Sequence, residues 1–305
     1  MCNVGSRTRF CFTATLSLLL LVPTAACGSD DKKGSDDPKP DPTVSVGVDN
    51  DSGKLALPDG MSAGVVVYDR EKNKVVVKSG EDVKFRTTSI TKLLLAIDYL
   101  KTTAPSKLDD ATRSQLNAML SSNEDNLTTK LYRQGGKDQY VQRLANELKL
   151  NHTSQPAENS SGWGSWLTTA SDVVAIYQYI LGDYAKSNAE ASKFILEALS
   201  KSSKCASDGF NQAFGIPTLK DDNKKSLQGW YQFPSTPATG GCDGNSAVEY
   251  EVNEDLDREY LHSTGLVGKD DRSIVVVLTA HAKGTNYATA SARVNNLTSG
   301  LKLTA

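Results

Sequence analysis

The chain has 305 residues, 38% of them hydrophobic and 23% charged, an ordinary globular composition with material for one large domain or two modest ones. A formal net charge of −2 and the lack of any basic block exclude the electrostatic footprint of a nucleic-acid binder. Nothing in the composition is fibrous or broadly disordered.

At the N-terminus, Arg7 and Arg9 precede the apolar run Phe10 to Val22, which is too short to cross a membrane and has the pattern of an export signal. The run leads into "PTAACGSDD". Ala25-Ala26-Cys27 resembles the lipobox of bacterial lipoproteins, with Thr24 where leucine is usual. The resemblance implies cleavage after residue 26 and lipid on Cys27; an ordinary secretory signal that happens to contain Cys27 is the alternative. Behind it, "GSDDKKGSDDPKPDPT" holds no large apolar residue, so it cannot bury enough surface to offset its ordering entropy. Residues 27–55 are therefore read as a tether and 56–305 as the folded domain.

Of five cysteines, Cys2 and Cys11 would leave with the signal and Cys27 would carry lipid. Cys205 and Cys242 remain, and in an oxidising compartment they are expected to form a disulfide. These cysteines and the three histidines, His152, His262 and His281, lack metal-ligand spacing, so no metal or other cofactor is expected and the histidines read as surface or packing residues.

The folded part opens with two strand-like runs, "AGVVVYDR" and "NKVVVKSG", around a charged turn at Glu71 to Asn73, which predicts a hairpin. "ITKLLLAIDYLKTT" then predicts a buried helix. Helical periodicity fills Leu108 to about Ser203, and Thr169 before Asp172 has the spacing of a capping box. "EYLHSTGLVG" and "RSIVVVLTAHA", separated by "KDD", predict a second hairpin before a last helix in "ATASARVNNLTSGLKL". Neither hairpin is stable alone, so strands from both chain ends must share one sheet. The fold class is α+β: an antiparallel sheet flanked by helices, with an inserted helical lobe and a cleft between the two.

From Met61 to Ala305 the sequence resembles the serine β-lactamase and penicillin-binding-protein superfamily, whose motifs run S-x-x-K, S-D-N and K-T-G in that order. The combination "SITK", "MLSSNEDN", "LQGWYQF" and "HSTGLVG" is most similar to divergent serine-hydrolase-like lipoproteins of actinobacteria. Ser89-Ile90-Thr91-Lys92 matches the first motif. The resemblance implies that Ser89 is a nucleophile and Lys92 its base, the three-residue spacing bringing them to one helix face; Ser89 as a mere helix N-cap is the alternative. For the second motif two registers stand open, Ser122-Asn123-Glu124 or Asn123-Glu124-Asp125, and only the first keeps a hydroxyl for proton relay. For the third, Thr264 and Gly265 fit as substrate-binding residues, Ser263 stands where lysine belongs, and His262 is one residue early. The resemblance also implies an oxyanion hole from the backbone N–H groups of Ser89 and Leu266.

The glutamate that activates the deacylating water in hydrolytic relatives has no counterpart; Glu158 lies in the corresponding region without the matching string. Trp230 is expected on a strand near the cleft or in the core. Two readings follow. One is a lipid-anchored serine hydrolase on the outer face of the cytoplasmic membrane, acylated at Ser89 by β-lactam or peptidoglycan-type substrates and deacylated slowly; the other is a fold-retaining pseudoenzyme that binds an envelope ligand or protein. If Cys27 carries the anchor, Cys27→Ala moves the protein out of the membrane fraction, and a variant that sediments with membranes as fully as wild type refutes the lipidation reading.

Overall fold

The computed structural model describes residues 47–48, 55–155, 162–233, 242, 258–301 and 303. The export signal, Cys27 and Glu158 lie outside the described residues. The first half contains β1 (Gly47–Val48), β2 (Leu55–Ala56), β3 (Ser62–Asp69), β4 (Lys74–Ser79), β5 (Phe85–Arg86), a 3-10 turn at Thr88–Ile90, α1 (Thr91–Thr102), α2 (Asp110–Ser121), α3 (Asn126–Gln134) and α4 (Asp138–Glu147). Next come β6 (Leu167–Thr168), α5 (Ala170–Leu181), α6 (Asp183–Ser187), α7 (Ala189–Ser200), β7 (Lys224–Tyr231), β8 (Arg258–Val267), β9 (Ser273–Ala282) and α8 (Tyr287–Gly300).

Five strands form one antiparallel sheet in the order β4-β3-β9-β8-β7, so the two chain ends do share a sheet. The valine runs of β3 and β9 read as unbroken apolar stretches because helices cover both faces, which removes the polar side usual in antiparallel strands, while edge strand β4 leaves Val75 and Val76 exposed. Strand alternation then sorts them. Val66, Val276 and Leu278 join the core of the helical lobe, while Val65, Val67, Val275 and Val277 pack with Tyr287, Val294 and Leu297 of α8.

α1 is the central helix of the lobe. Leu93, Leu94, Leu95, Ala96 and Ile97 are each at most 1% exposed, so this stretch of the helix is surrounded on all sides by core. α5 starts as its cap predicts, with the Asp172 N–H donating to the Thr169 hydroxyl at 3.3 Å.

Cys205 and Cys242 form the expected disulfide, with Cα atoms 5.5 Å apart. It ties the segment after α7 to the segment after β7. Closing a loop of this size contributes roughly 3–4 kcal/mol in the chain-entropy model. One boundary moves: β1 pairs with β2, register Gly47 to Ala56, and lies beside α8, so the folded part begins before residue 56. The alternation of Val44, Val46 and Val48 inside the supposed tether was the overlooked signal.

His262 and His281 are wholly buried packing residues, while His152 is half-exposed with Nε2 3.8 Å from Asp82. His262 takes the Thr279 N–H on Nδ1 at 3.2 Å and donates from Nε2 to the Arg86 carbonyl at 2.8 Å. Burial pushes His262 down to about 4 and His281 down to about 3, Arg293 adding to the second. Between about pH 6.5 and 4 the unfolded chain binds protons at both histidines that the folded chain does not, so stability falls as the pH drops, by about 1.4 kcal/mol per unit for each. Urea midpoints measured from pH 7 to 4.5 should decline steeply, and less steeply in His281→Gln; a flat profile refutes the buried neutral assignment.

Candidate active-site cavity

The chain reaches Ser89 through a segment fastened to residues 162–168. β5 pairs with β6, and the N–H groups of Thr87 and Thr88 donate to the carbonyls of Trp166 (2.7 Å) and Gly164 (2.9 Å). These bonds hold Thr88 at φ 48°, an unfavourable left-handed conformation for a β-branched residue directly before the serine. Ser89 sits on the 3-10 turn leading into α1, and neither helix start uses a side-chain cap. Ser89 is therefore not an N-cap. It is 7% exposed and lines a cavity of about 230 Å³.

Lys92 lies wholly buried beneath this turn. Its Nζ donates to the Asn123 carbonyl (2.7 Å), Asn123 Oδ1 (2.7 Å) and Asp125 Oδ1 (2.6 Å), three acceptors for the three N–H bonds of an ammonium. The Trp163 ring centroid is 5.1 Å away. Burial pushes Lys92 below the ordinary lysine range, and the adjacent Asp125 carboxylate opposes that shift. Among the described residues no hydrogen bond joins Ser89 to Lys92. The hydrogen bond expected from three-residue spacing is absent, and the lysine donors go to Asn123 and Asp125 instead.

The second motif takes its second register. Ser122 is the C-cap of α2, and its hydroxyl turns back to the Ala118 carbonyl at 3.0 Å, away from the cavity. Asn123, at φ 61°, is the residue that turns inward, grasping Lys92 with two oxygens and donating from Nδ2 to the Gln228 carbonyl at 3.0 Å. Asp125 follows on the cavity wall.

The third motif is corrected more deeply. Thr264, Gly265 and Leu266 lie on β8, an interior strand paired on both sides. Leu266 pairs with Lys225 and Ile274, so its N–H belongs to the ladder and cannot serve an oxyanion. The Thr264 hydroxyl donates to the Leu227 carbonyl (3.0 Å) and meets the Tyr177 hydroxyl (3.0 Å) inside the lobe. Ser263 faces the other way and accepts from the Ile216 N–H.

The strand beside Ser89 is β7. A Cβ on Gly229 would stand 2.0 Å from the Thr88 hydroxyl and 3.2 Å from the Ser89 nitrogen, so only glycine allows this approach. The Gln228 carbonyl is taken at the open edge by Asn123 and the Leu227 carbonyl on the β8 side by Thr264. By the two-residue repeat, the Trp230 N–H also faces the open edge, toward the Ser89 turn. The Ser89 N–H has no backbone acceptor among the described residues.

Asp208, Trp230 and Phe233 also line the cavity. Asp208 accepts from the Phe210 N–H (3.1 Å) and Trp230 Nε1 (3.0 Å), and burial raises its pKa. Trp230 also packs against Phe210 and Tyr287, so it belongs to both core and cavity. Among the described residues no group of three His, Cys, Asp or Glu is placed to hold a metal ion. Sequence reading missed Asp208 and Gly229; "LQGW" held the glycine, but nothing local told its strand from β8.

Sheet order, inserted lobe and a serine at the head of the central helix define the fold of the serine β-lactamases. Solved structures of that class align over most of the chain: a β-lactamase from Chitinophaga pinensis (14% identical, TM-score 0.54, covering 78% of this chain and 92% of that one), a class A enzyme from Bacteroides cellulosilyticus (11%, 0.55, 79% and 92%) and one from Mycobacterium abscessus (13%, 0.54, 78% and 92%). At such identities the likeness is one of fold. In sequence, the proteins named "Putative lipoprotein LppW" in Mycobacterium tuberculosis and Mycobacterium bovis are 27% identical over 222 residues, 72% of this chain. The chain spans 63% of those relatives' length. No protein-family model matches it.

Gly229→Ala tests the approach of β7 to the serine. The added methyl should force the Ser89 turn and β7 apart and lower stability by about 1–3 kcal/mol in urea denaturation; an unchanged midpoint refutes the close contact.

Proposed function

We propose that this chain is an exported lipoprotein anchored through Cys27 on the outer face of the cytoplasmic membrane, and that Ser89 is its acyl-accepting nucleophile toward β-lactam or peptidoglycan-type acyl compounds. The name of the mycobacterial relatives supports the anchor, and the polar stretch behind Cys27 supports a tether. One observation carries the chemistry: Ser89 lines the cavity at the head of a buried helix, with its own N–H and the edge N–H of Trp230 available for a developing oxyanion.

The proton path follows from the partners of Lys92. Two of its three acceptors are amide oxygens, which do not take a proton at neutral pH, and the third is the Asp125 carboxylate. Burial favours the neutral amine of Lys92, and the Asp125 carboxylate opposes that shift. For acylation a neutral Lys92 must turn from Asn123 to Ser89 Oγ, take its proton as the oxygen bonds to the acyl carbon, and return it to the leaving group when the tetrahedral intermediate collapses. Release of the acyl group needs a base for water. Among the described residues the cavity's carboxylates are Asp125, engaged by Lys92, and Asp208, engaged by Trp230 and the Phe210 N–H, so the acyl-enzyme is long-lived.

A second reading, a binding protein without turnover, is favoured by the saturated Lys92 and its missing bond to Ser89. Intact mass after incubation with a penicillin or an activated ester separates the two. The acylation reading expects a persistent adduct on wild type and none on Ser89→Ala. No adduct on folded wild type at saturating reagent leaves the binding reading.

A further inference from the structure

Among the described residues, every charge at the cavity is answered within the protein. Asp125 holds the Lys92 ammonium at 2.6 Å, and the two oxygens of Asn123 take the other Lys92 donors. Asp208 accepts from Trp230 Nε1 and from the Phe210 N–H. Arg86 is buried and donates to the Ser165 carbonyl, Lys224 is held by the carbonyls of Pro217 and Leu219, and Lys225 pairs with Asp271. The described lining includes no lysine or arginine, and the flanking stretches of sequence, 156–161 and 234–257, contain none. A carboxylate entering the cavity would therefore lose its water without gaining a cation. A ligand cation fares no better, because both carboxylates are engaged and the Trp163 ring already stands 5.1 Å from the Lys92 ammonium.

What the wall leaves open is aromatic surface. Trp163 and Trp230 come from separate segments, and each packs against a core cluster while staying partly exposed on the cavity. Phe233 lines the same space. At about 230 Å³ the cavity exceeds the roughly 150 Å³ that takes a benzene ring. The N–H groups of Ser89 and Trp230 are donors for a carbonyl oxygen, which brings no formal charge to bury.

We infer that the cavity selects uncharged carbonyl compounds carrying an aromatic ring, the ring against Trp163 and Trp230 and the carbonyl toward Ser89, and discriminates against charged ligands of either sign. The inference rests on the proposed function for the acyl chemistry at Ser89. The selection itself is an equilibrium property of the cavity and is measured without a covalent step.

Benzamide, benzoate and benzamidinium share one ring and nearly one shape and differ in charge. Each is titrated by NMR into the full chain in detergent, with cyclohexanecarboxamide as the non-aromatic control. Benzamide should bind at least tenfold more tightly than either ion and several-fold more tightly than cyclohexanecarboxamide. Trp230→Leu should remove most of the preference for the aromatic amide; Trp163→Leu is the second variant if the first does not fold. Among acylating reagents, the methyl ester of a penicillin should label Ser89 at least tenfold faster than its free acid. Either ion binding as tightly as benzamide, no binding by any of the four, an aromatic preference unmoved in the folded variant, or faster labelling by the free acid overturns the inference. Selection of benzamide without an adduct from either reagent would sink the acylation reading alone, and an adduct without that selection would sink this inference alone.

Discussion

A lysine ammonium with no access to solvent constrains everything around it. Burying Lys92 costs several kcal/mol unless its charge and donors are met, and two residues, Asn123 and Asp125, meet them. Asn123 can offer both its backbone and side-chain oxygens to one Nζ only because its backbone sits at φ 61°, a conformation that asparagine tolerates better than most residues. The same side chain donates to Gln228 on β7. One network thereby joins the central helix, the α2–α3 turn and the edge of the sheet, and the cavity is the space these three leave in front of Ser89.

The nucleophile candidate is presented by strain as well as by packing. Thr88 is held in the left-handed region by backbone bonds to residues 164 and 166, and Gly229 comes close enough that a side chain there would collide with it. A strained residue persists where its surroundings over-determine it. Here the surroundings are the β5–β6 ladder on one side and β7 on the other, so the serine turn depends on the 162–168 segment as much as on α1. Trp163 adds to this dependence, its carbonyl accepting from Thr91 and its ring covering Lys92.

The scaffold and the chemistry have separated. The sheet order and helical lobe are those of the β-lactamases, while the cavity holds an Asn-Glu-Asp turn, an aromatic wall and a second carboxylate, with no cation among its described lining residues. Fold constrains where a site lies and leaves its electrostatics to a handful of side chains. In this chain those side chains keep a serine and a buried lysine and set Asp125 and Asp208 beside them.

What the sequence by itself determined was local. The valine runs, the buried leucine-rich helix, the Thr169 cap and the pair of cysteines left after the signal each depend on neighbouring residues or on simple arithmetic, and each stands in the structure as read. The position of Ser89 and Lys92 at the head of the central helix was legible for the same reason, as "SITK" precedes the only long run of leucines in the folded part. The identity of the strand beside the serine was not. "HSTG" on β8 and "LQGW" on β7 both carry a glycine within an apolar strand, and only the pairing of β8 with β9 and β7 puts one in the interior and the other at the edge. The choice between Ser122 and Asn123 was likewise decided by a single backbone angle and by contacts with Lys92 and Gln228, 31 and 105 residues away in sequence. Strand order and buried-charge partnering arise from contacts distant in the chain, and no local string encodes them.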